Sequence, residues 1–270
     1  MTLTPQTQPE YENPPVNEVV CGIFFGRLEK FLSSYLGLLW DQYKPDYSES
    51  REVAPLVPVV ERFDNLPQQP HIDVPPLPRT WFVHNNDNGV IQVQRDRFLH
   101  NWRKIRSDDE YPRYSKVIEM FRTHLSTFTT FIEEHNLGVI KPLQYELTYI
   151  NHIVKGNGWE TISDVGNIFP YCSWPPTTSA SLPQPEIINW QTSFALPEQT
   201  GRLHTRIHYA IRPQDNLPLF RFELTARGIG NYTTLESMWD WFQLAHDWII
   251  RGFIDLTSPQ LQKDLWRQRR

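Results

Sequence analysis

The chain has 270 residues, 39% of them hydrophobic and 13% aromatic, with ten tryptophans, which is apolar mass enough for one large domain or two small ones. Its formal net charge of −5 and sequence pI of about 6.0 exclude a dedicated basic nucleic-acid-binding domain and leave only local basic patches.

In chain order, residues 1–15 are polar and proline-rich and read as an extended lead-in. VNEVVCGIFFG reads as a strand with Val19, Cys21 and Ile23 on one side and Val20 and Phe24 on the other. Apolar on both faces, it belongs at the centre of a sheet. Residues 27–43 then carry Leu28, Phe31, Leu32, Tyr35, Leu36, Leu39 and Tyr43 at helical spacing, and Pro45 ends that helix. Residues 44–79 are punctured by prolines and predict an arm laid on the surface or a functional excursion.

TWFVHN and VIQVQ read as strands joined through NNDNG, with Asn88-Gly89 suited to positive φ. Arg95-Asp96 reads as a tight connection to a third strand, RFLHNWRK, with an uninterrupted strand as the alternative. Alternation puts Phe98, His100 and Trp102 on one face and Arg97, Leu99, Asn101 and Arg103 on the other. The next helix has the seam Val117, Phe121, Leu125, Phe128 and Ile132, with Gly138 placed as its C-cap. LQYELTYIN follows as a strand with Tyr145, Leu147 and Tyr149 on one face.

Residues 155–186, rich in Pro, Gly and Ser, divide a first half, 16–154, from a second, 187–270. The second half opens with three alternating strands, IINWQTSFAL, RLHTRIHYAI and LFRFELTAR. A capping box of Thr233 and Glu236 starts a long helix, and Ser258 with Pro259 starts a final one. The element order predicts an α+β fold: antiparallel sheets covered by three long helices, with two similar-sized halves that are candidates for distant structural duplicates.

The segments NPPVNEVVC, QVQRDRFLHNWR, YPRY, YELTYIN and LAHDWIIRGFIDLTSPQLQKDLW together resemble a sporadically distributed, functionally uncharacterised family of bacterial proteins. The resemblance covers nearly the whole chain. It implies an accessory gene cassette, such as a defence or toxin-related one, and assigns no catalytic residue.

Chemistry-bearing patterns are weak. In HTRIH, His204 and His208 lie about 13 Å apart on a strand, too far to share one zinc with ligands at about 2.0 Å, and Arg206 between them would repel a cation. No nucleophile elbow or phosphate-binding loop is present, and RGIGN at 227–231 is the nearest approach to an anion cradle. Cys172, in the loop PYCSW, is a lone cysteine that could act as a nucleophile only with a His distant in the sequence. No metal and no cofactor is expected. Cys21 and Cys172 lie far apart, no basic leader precedes an apolar segment, and no run approaches the ~20 apolar residues that span a bilayer, so a cytoplasmic protein away from membranes is expected.

Two surfaces remain. Arg97, Arg103 and Arg106 interleave with Trp102, the residue types favoured at interface hot spots, and these four are the candidate partner-binding residues. Their expected partner is a protein, with nucleic acid second. His204, Arg206, His208 and Glu223 form a candidate ligand face on the later strands. The expected function is therefore a non-catalytic binding or regulatory protein. The alternative is an enzyme or a nucleotide- or nucleic-acid-handling protein using the His/Arg/Glu face.

Overall fold

The computed structural model describes residues 10–56, 59, 61, 63, 78–172 and 183–269. Much of the lead-in, the later part of the 44–79 excursion and part of the 155–186 connection therefore lie outside the described residues. The elements run β1 (Glu10–Tyr11), β2 (Val16–Phe25), α1 (Ser33–Tyr43), β3 (Glu49–Val53), β4 (Arg79–Val83), β5 (Gly89–Gln94), β6 (Arg97–Arg103), α2 (Tyr114–Glu134) and β7 (Pro142–Val154). They continue with α3 (Val165–Ile168), β8 (Asn189–Ala195), β9 (Arg202–Ile211), β10 (Pro218–Gly228), α4 (Met238–Leu256), α5 (Pro259–Asp264) and β11 (Gln268–Arg269). Among the described residues, no helix is long and apolar enough to cross a membrane.

The fold is α+β with antiparallel pairing throughout. A nine-stranded sheet has the order β3–β4–β5–β6–β2–β7–β10–β9–β8, while β1 and β11 pair separately. The expectation of several sheets under three long helices is corrected in both respects. Among the described residues there is one large sheet, because β7 of the first half pairs with β10 of the second from Val154↔Leu219 to Tyr145↔Gly228. The described helices include α1, α2 and α4 and the shorter α5 beside them. No duplication is shown by the strand order.

Alternation along each strand decides what enters the core. Val19, Cys21 and Ile23 of β2, Phe98 and Trp102 of β6, Tyr145, Leu147 and Tyr149 of β7, and Phe220, Phe222 and Leu224 of β10 all face the helices. They meet Val117, Phe121, Leu125, Phe128 and Ile132 of α2, and Trp241, Phe242 and Ile249 of α4. Phe98 stacks on Phe128 at 4.9 Å and on Phe121 at 6.3 Å. The strand β2 is fifth of nine, and Val20 and Phe24 on its second face are buried too, as its two-sided apolar pattern predicts.

Local expectations are adjusted in places. Residues 27–32 are not helical: Leu28 and Phe31 are buried, but the chain is tied down by Leu28 N–H to Arg95 O (3.0 Å) and by Arg95 Nε to Phe31 O (2.9 Å). Arg95 and Asp96 form a tight turn, so β5 and β6 are a hairpin with Gln94 opposite Arg97. The positive φ between β4 and β5 falls on Asp87, and the one closing α2 on Asn136, with Gly138 two residues further. Ser237, not Thr233, precedes α4, and Thr234 and Ser237 bond each other in place of the expected capping box. In RGIGN, a Cβ on Gly228 would stand 2.3 Å from Thr200 O, so this glycine serves the close crossing of two backbone segments.

Because Trp102 is 5% exposed and its core also holds Phe98 and Phe121, Trp102→Ala should lower stability by roughly 3–5 kcal/mol; an unchanged urea midpoint would contradict the placement. His100 is fully buried, neither ring nitrogen has a hydrogen-bond partner among the described residues, and its ring lies 4.9 Å from that of His124. Burial first, then the neighbouring histidines, holds His100 well below its ordinary pKa, and burial brings His124 to about 4. Histidines depressed in the folded state bind more protons when unfolded, so their stabilising contribution is full above the unfolded pKa of about 6.5 and is lost as pH falls toward about 4. The urea midpoint should therefore drop between pH 7 and pH 5. His100→Leu should reduce that drop without loss of stability at pH 7, since it removes an unpartnered polar group; an unaltered pH slope would count against this assignment.

Candidate functional site

The face of the sheet turned away from α2 and α4 carries the alternate side chains of each strand, and from β4 to β2 they form a continuous hydrogen-bonded chain. Trp81 Nε1 and Arg79 Nη1 donate to Gln92 Oε1 at 3.0 and 3.1 Å. Gln92 Nε2 donates to Asn101 Oδ1 at 2.6 Å, and Asn101 Nδ2 donates to Glu18 Oε1 at 2.6 Å. Gln92 and Asn101 are buried, as are Gln94 and Gln144 on the same face. Buried amides of this kind must be satisfied, and each here has a partner.

Beyond β3, the proline-rich arm meets this face at Leu56, Val59 and Glu61. Leu56 N–H donates to Gln94 Oε1 at 3.0 Å, and Glu61 N–H donates to Gln144 Oε1 at 2.7 Å. Gln144 Nε2 donates in return to Val59 O at 2.8 Å. One side-chain amide thus offers an acceptor and a donor to a main chain, as a neighbouring strand would. The Glu61 carboxylate is held by Arg202 Nη1 at 2.7 Å and His204 Nε2 at 2.6 Å, with Arg227 Nη1 at 3.7 Å. Burial pushes this carboxyl up, but the hydrogen bonds from His204 and Arg202 outweigh it and leave Glu61 below its ordinary value. The Arg202 guanidinium also lies 4.1 Å from the centre of the Phe63 ring.

The sheet's own charges on β7, β9 and β10 favour the basic side. Arg202, Arg206, Arg221 and Arg227 face Glu146 and Glu223, with Arg227 Nε bonded to Glu146 Oε2 at 2.7 Å and Arg221 paired with Glu223. This stands against the negative balance of the whole chain.

The structure separates the four residues expected to form a partner surface. Trp102 is in the core, packed on Tyr111 at 5.4 Å between ring centres. Arg97 is 1% exposed, bonded through Nε and Nη2 to both oxygens of Asp96 at 2.8 Å and stacked over Phe24. Arg103 is half-buried and donates to Asp87 O at 2.9 Å, while Arg106 is exposed in the loop that follows β6. His204, Arg206, His208 and Glu223, expected as a ligand face, lie on one face of the sheet. Glu223 stands opposite Arg206, Arg221 opposite His208 and Thr225 opposite His204 in the β9–β10 ladder. His204 is committed to Glu61 and, through Nδ1, to Ser193 Oγ at 2.8 Å. Burial first, then Arg206 and Arg221, depresses His208.

Among the described residues, no group of three His, Cys, Asp or Glu side chains could hold a metal ion. Burial raises the Cys172 thiol to about 11, so at neutral pH it is the protonated, unreactive form. Sequence reasoning did not pick out Gln94, Gln144, Glu61, Arg202 or Arg227. Their outward strand positions were legible for the last two, but nothing local marks which distant segment they hold. The chain matches no family model, no curated protein and no solved structure.

Glu61→Ala removes the anion at the centre of the Arg202–His204–Arg227 cluster, and hydrogen bonds to charged groups contribute about 1.5–3 kcal/mol each. Amide exchange at Leu56 and Glu61 should accelerate by roughly tenfold or more while exchange in β7 stays unchanged. Equal exchange in both proteins would show that the carboxylate does not hold the arm.

Proposed function

We propose that this protein is a binding or regulatory protein whose polar sheet face holds an extended, acidic polypeptide segment of a protein partner. The observation that carries this reading is the way the face treats Leu56, Val59 and Glu61: main-chain groups are taken by Gln94 and Gln144, and the carboxylate is taken by Arg202 and His204. Main-chain contacts give affinity without demanding a particular sequence, while the basic side chains select for acid. Arg206 lies exposed next to this cluster on β9 and extends the basic strip. Arg103 and Arg106, at the end of β6 and beyond, are the remaining accessible members of the basic-aromatic set. Such a role suits the accessory or defence-related setting that the sequence resemblance implies.

The test uses the arm as its own ligand. Residues 55–63 are replaced in the full chain by a Gly/Ser stretch of equal length, and the peptide PLVPVVERF is added in trans. The peptide should bind this variant, bind the native chain more weakly, and lose about tenfold or more in affinity when Arg202 is changed to Glu or when the peptide's Glu is changed to Gln. Absence of binding to the Gly/Ser variant sinks the reading. Tight binding of single-stranded nucleic acid in place of the peptide, abolished by Arg206→Glu, would move the assignment to the alternative.

A further inference from the structure

A cavity of about 290 Å³ lies on the opposite, helix-covered side of the sheet, between the start of α2, the middle of α4 and strands β7 and β10. Its lining includes Tyr11, Tyr111, Tyr114, Tyr149, His246 and Phe253. An apolar cavity of about 150 Å³ suffices for benzene, so this one has room for a ring and a short substituent. The aromatic walls are fixed by their own contacts. Tyr114 and His246 stack at 3.9 Å with 8° between planes, Tyr111 Oη and Tyr149 Oη bond at 2.8 Å, and Tyr11 packs edge-on to Phe253 at 5.5 Å.

Polar groups stand beside the same space. His246 Nδ1 is shielded from solvent and has no hydrogen-bond partner among the described residues. Burial brings this histidine to about 4, with Asp247 opposing, so at neutral pH the ring is uncharged. Arg113 is exposed at the rim, and its Nη1 donates to Tyr11 O at 2.8 Å, leaving further donors of the guanidinium. It is also the N-cap of the 21-residue helix α2, which has no side-chain cap and no acid in its first turn. That end of the helix therefore presents unneutralised N–H groups. Arg113 itself adopts φ 71° and ψ 157°, outside the regions that non-glycine residues ordinarily occupy. Among the described residues of the lining, Glu10 is the one carboxylate, and it is exposed on β1.

We infer that this cavity binds a small planar aromatic carboxylate, with the ring among Tyr11, Tyr149 and Phe253 and the carboxylate at Arg113 and the first turn of α2. The inference is independent of the polypeptide-binding face, which lies on the other side of the sheet.

The experiment is calorimetric titration of the full chain with benzoate and indole-3-acetate, beside their neutral amides and benzylamine. At least one acid should bind and raise the melting temperature, with its amide about tenfold or more weaker and benzylamine weaker still. Arg113→Gln, a change at an exposed position, should erase the preference of acid over amide while leaving the amide's affinity intact. Ile249→Trp, which fills the cavity, should abolish binding of both. If Ile249→Trp fails to fold by circular dichroism, the Arg113→Gln comparison alone decides. No binding by either acid at millimolar concentration, equal binding of acid and amide, or an unchanged preference in Arg113→Gln would each overturn the inference.

Discussion

The ladder between β2 and β7, running from Val16↔Asn151 to Phe25↔Pro142, joins the strands of residues 49–103 to those of residues 189–228. Both faces of the sheet inherit their composition from it. The register shifts between Val16 and Glu18, which places an extra residue, Asn17, in β2. An extra residue reverses the alternation on one side of it. Val16 consequently packs against the core beside the aromatic cavity, while Glu18 turns to the other face and ends the amide chain from Trp81. One bulge thus feeds both candidate sites.

The second face shows how a sheet can carry polar side chains at buried positions. Val20, Phe24, Leu99 and Ile150 lie among Gln92, Gln94, Asn101 and Gln144, all with little exposure. An amide in such surroundings is costly unless both its ends are bonded. Neighbouring strands supply some of those bonds, and the arm's main chain supplies others. Arg97 follows the same logic: a guanidinium at the end of a hairpin is tolerated because Asp96, the turn residue before it, bonds it with both oxygens and Phe24 covers its plane.

Most of the fold was legible in the sequence because long elements bury one face each. The seam of α2 and the alternation in β6, β7, β9 and β10 are periodic over enough residues to fix both type and facing. The misreadings share a cause, which is that short segments have no period. Leu28 and Phe31 are spaced as in a helix yet are buried from a loop, and β1 and β11 are too short to announce themselves. The candidate sites were the least legible. Arg97 and Trp102 are close in sequence but point to opposite faces, so a basic-aromatic cluster in the string is not a cluster in space. Conversely, Tyr111, Tyr149 and His246 come from three distant elements, and Glu61 finds Arg202 across 141 positions.

The small β1–β11 ladder has a mechanical consequence. Glu10 pairs with Arg269 and Tyr11 with Gln268, antiparallel. Tension applied to the chain before residue 10 and after residue 269 would act on the same end of this ladder, so its two pairs would open in succession, as a zipper does, and not together in shear. Tyr11 is also a wall of the aromatic cavity and is fastened there by Gln262 and Arg113. Opening from that end would thus reach a wall of the cavity before any strand of the nine-stranded sheet.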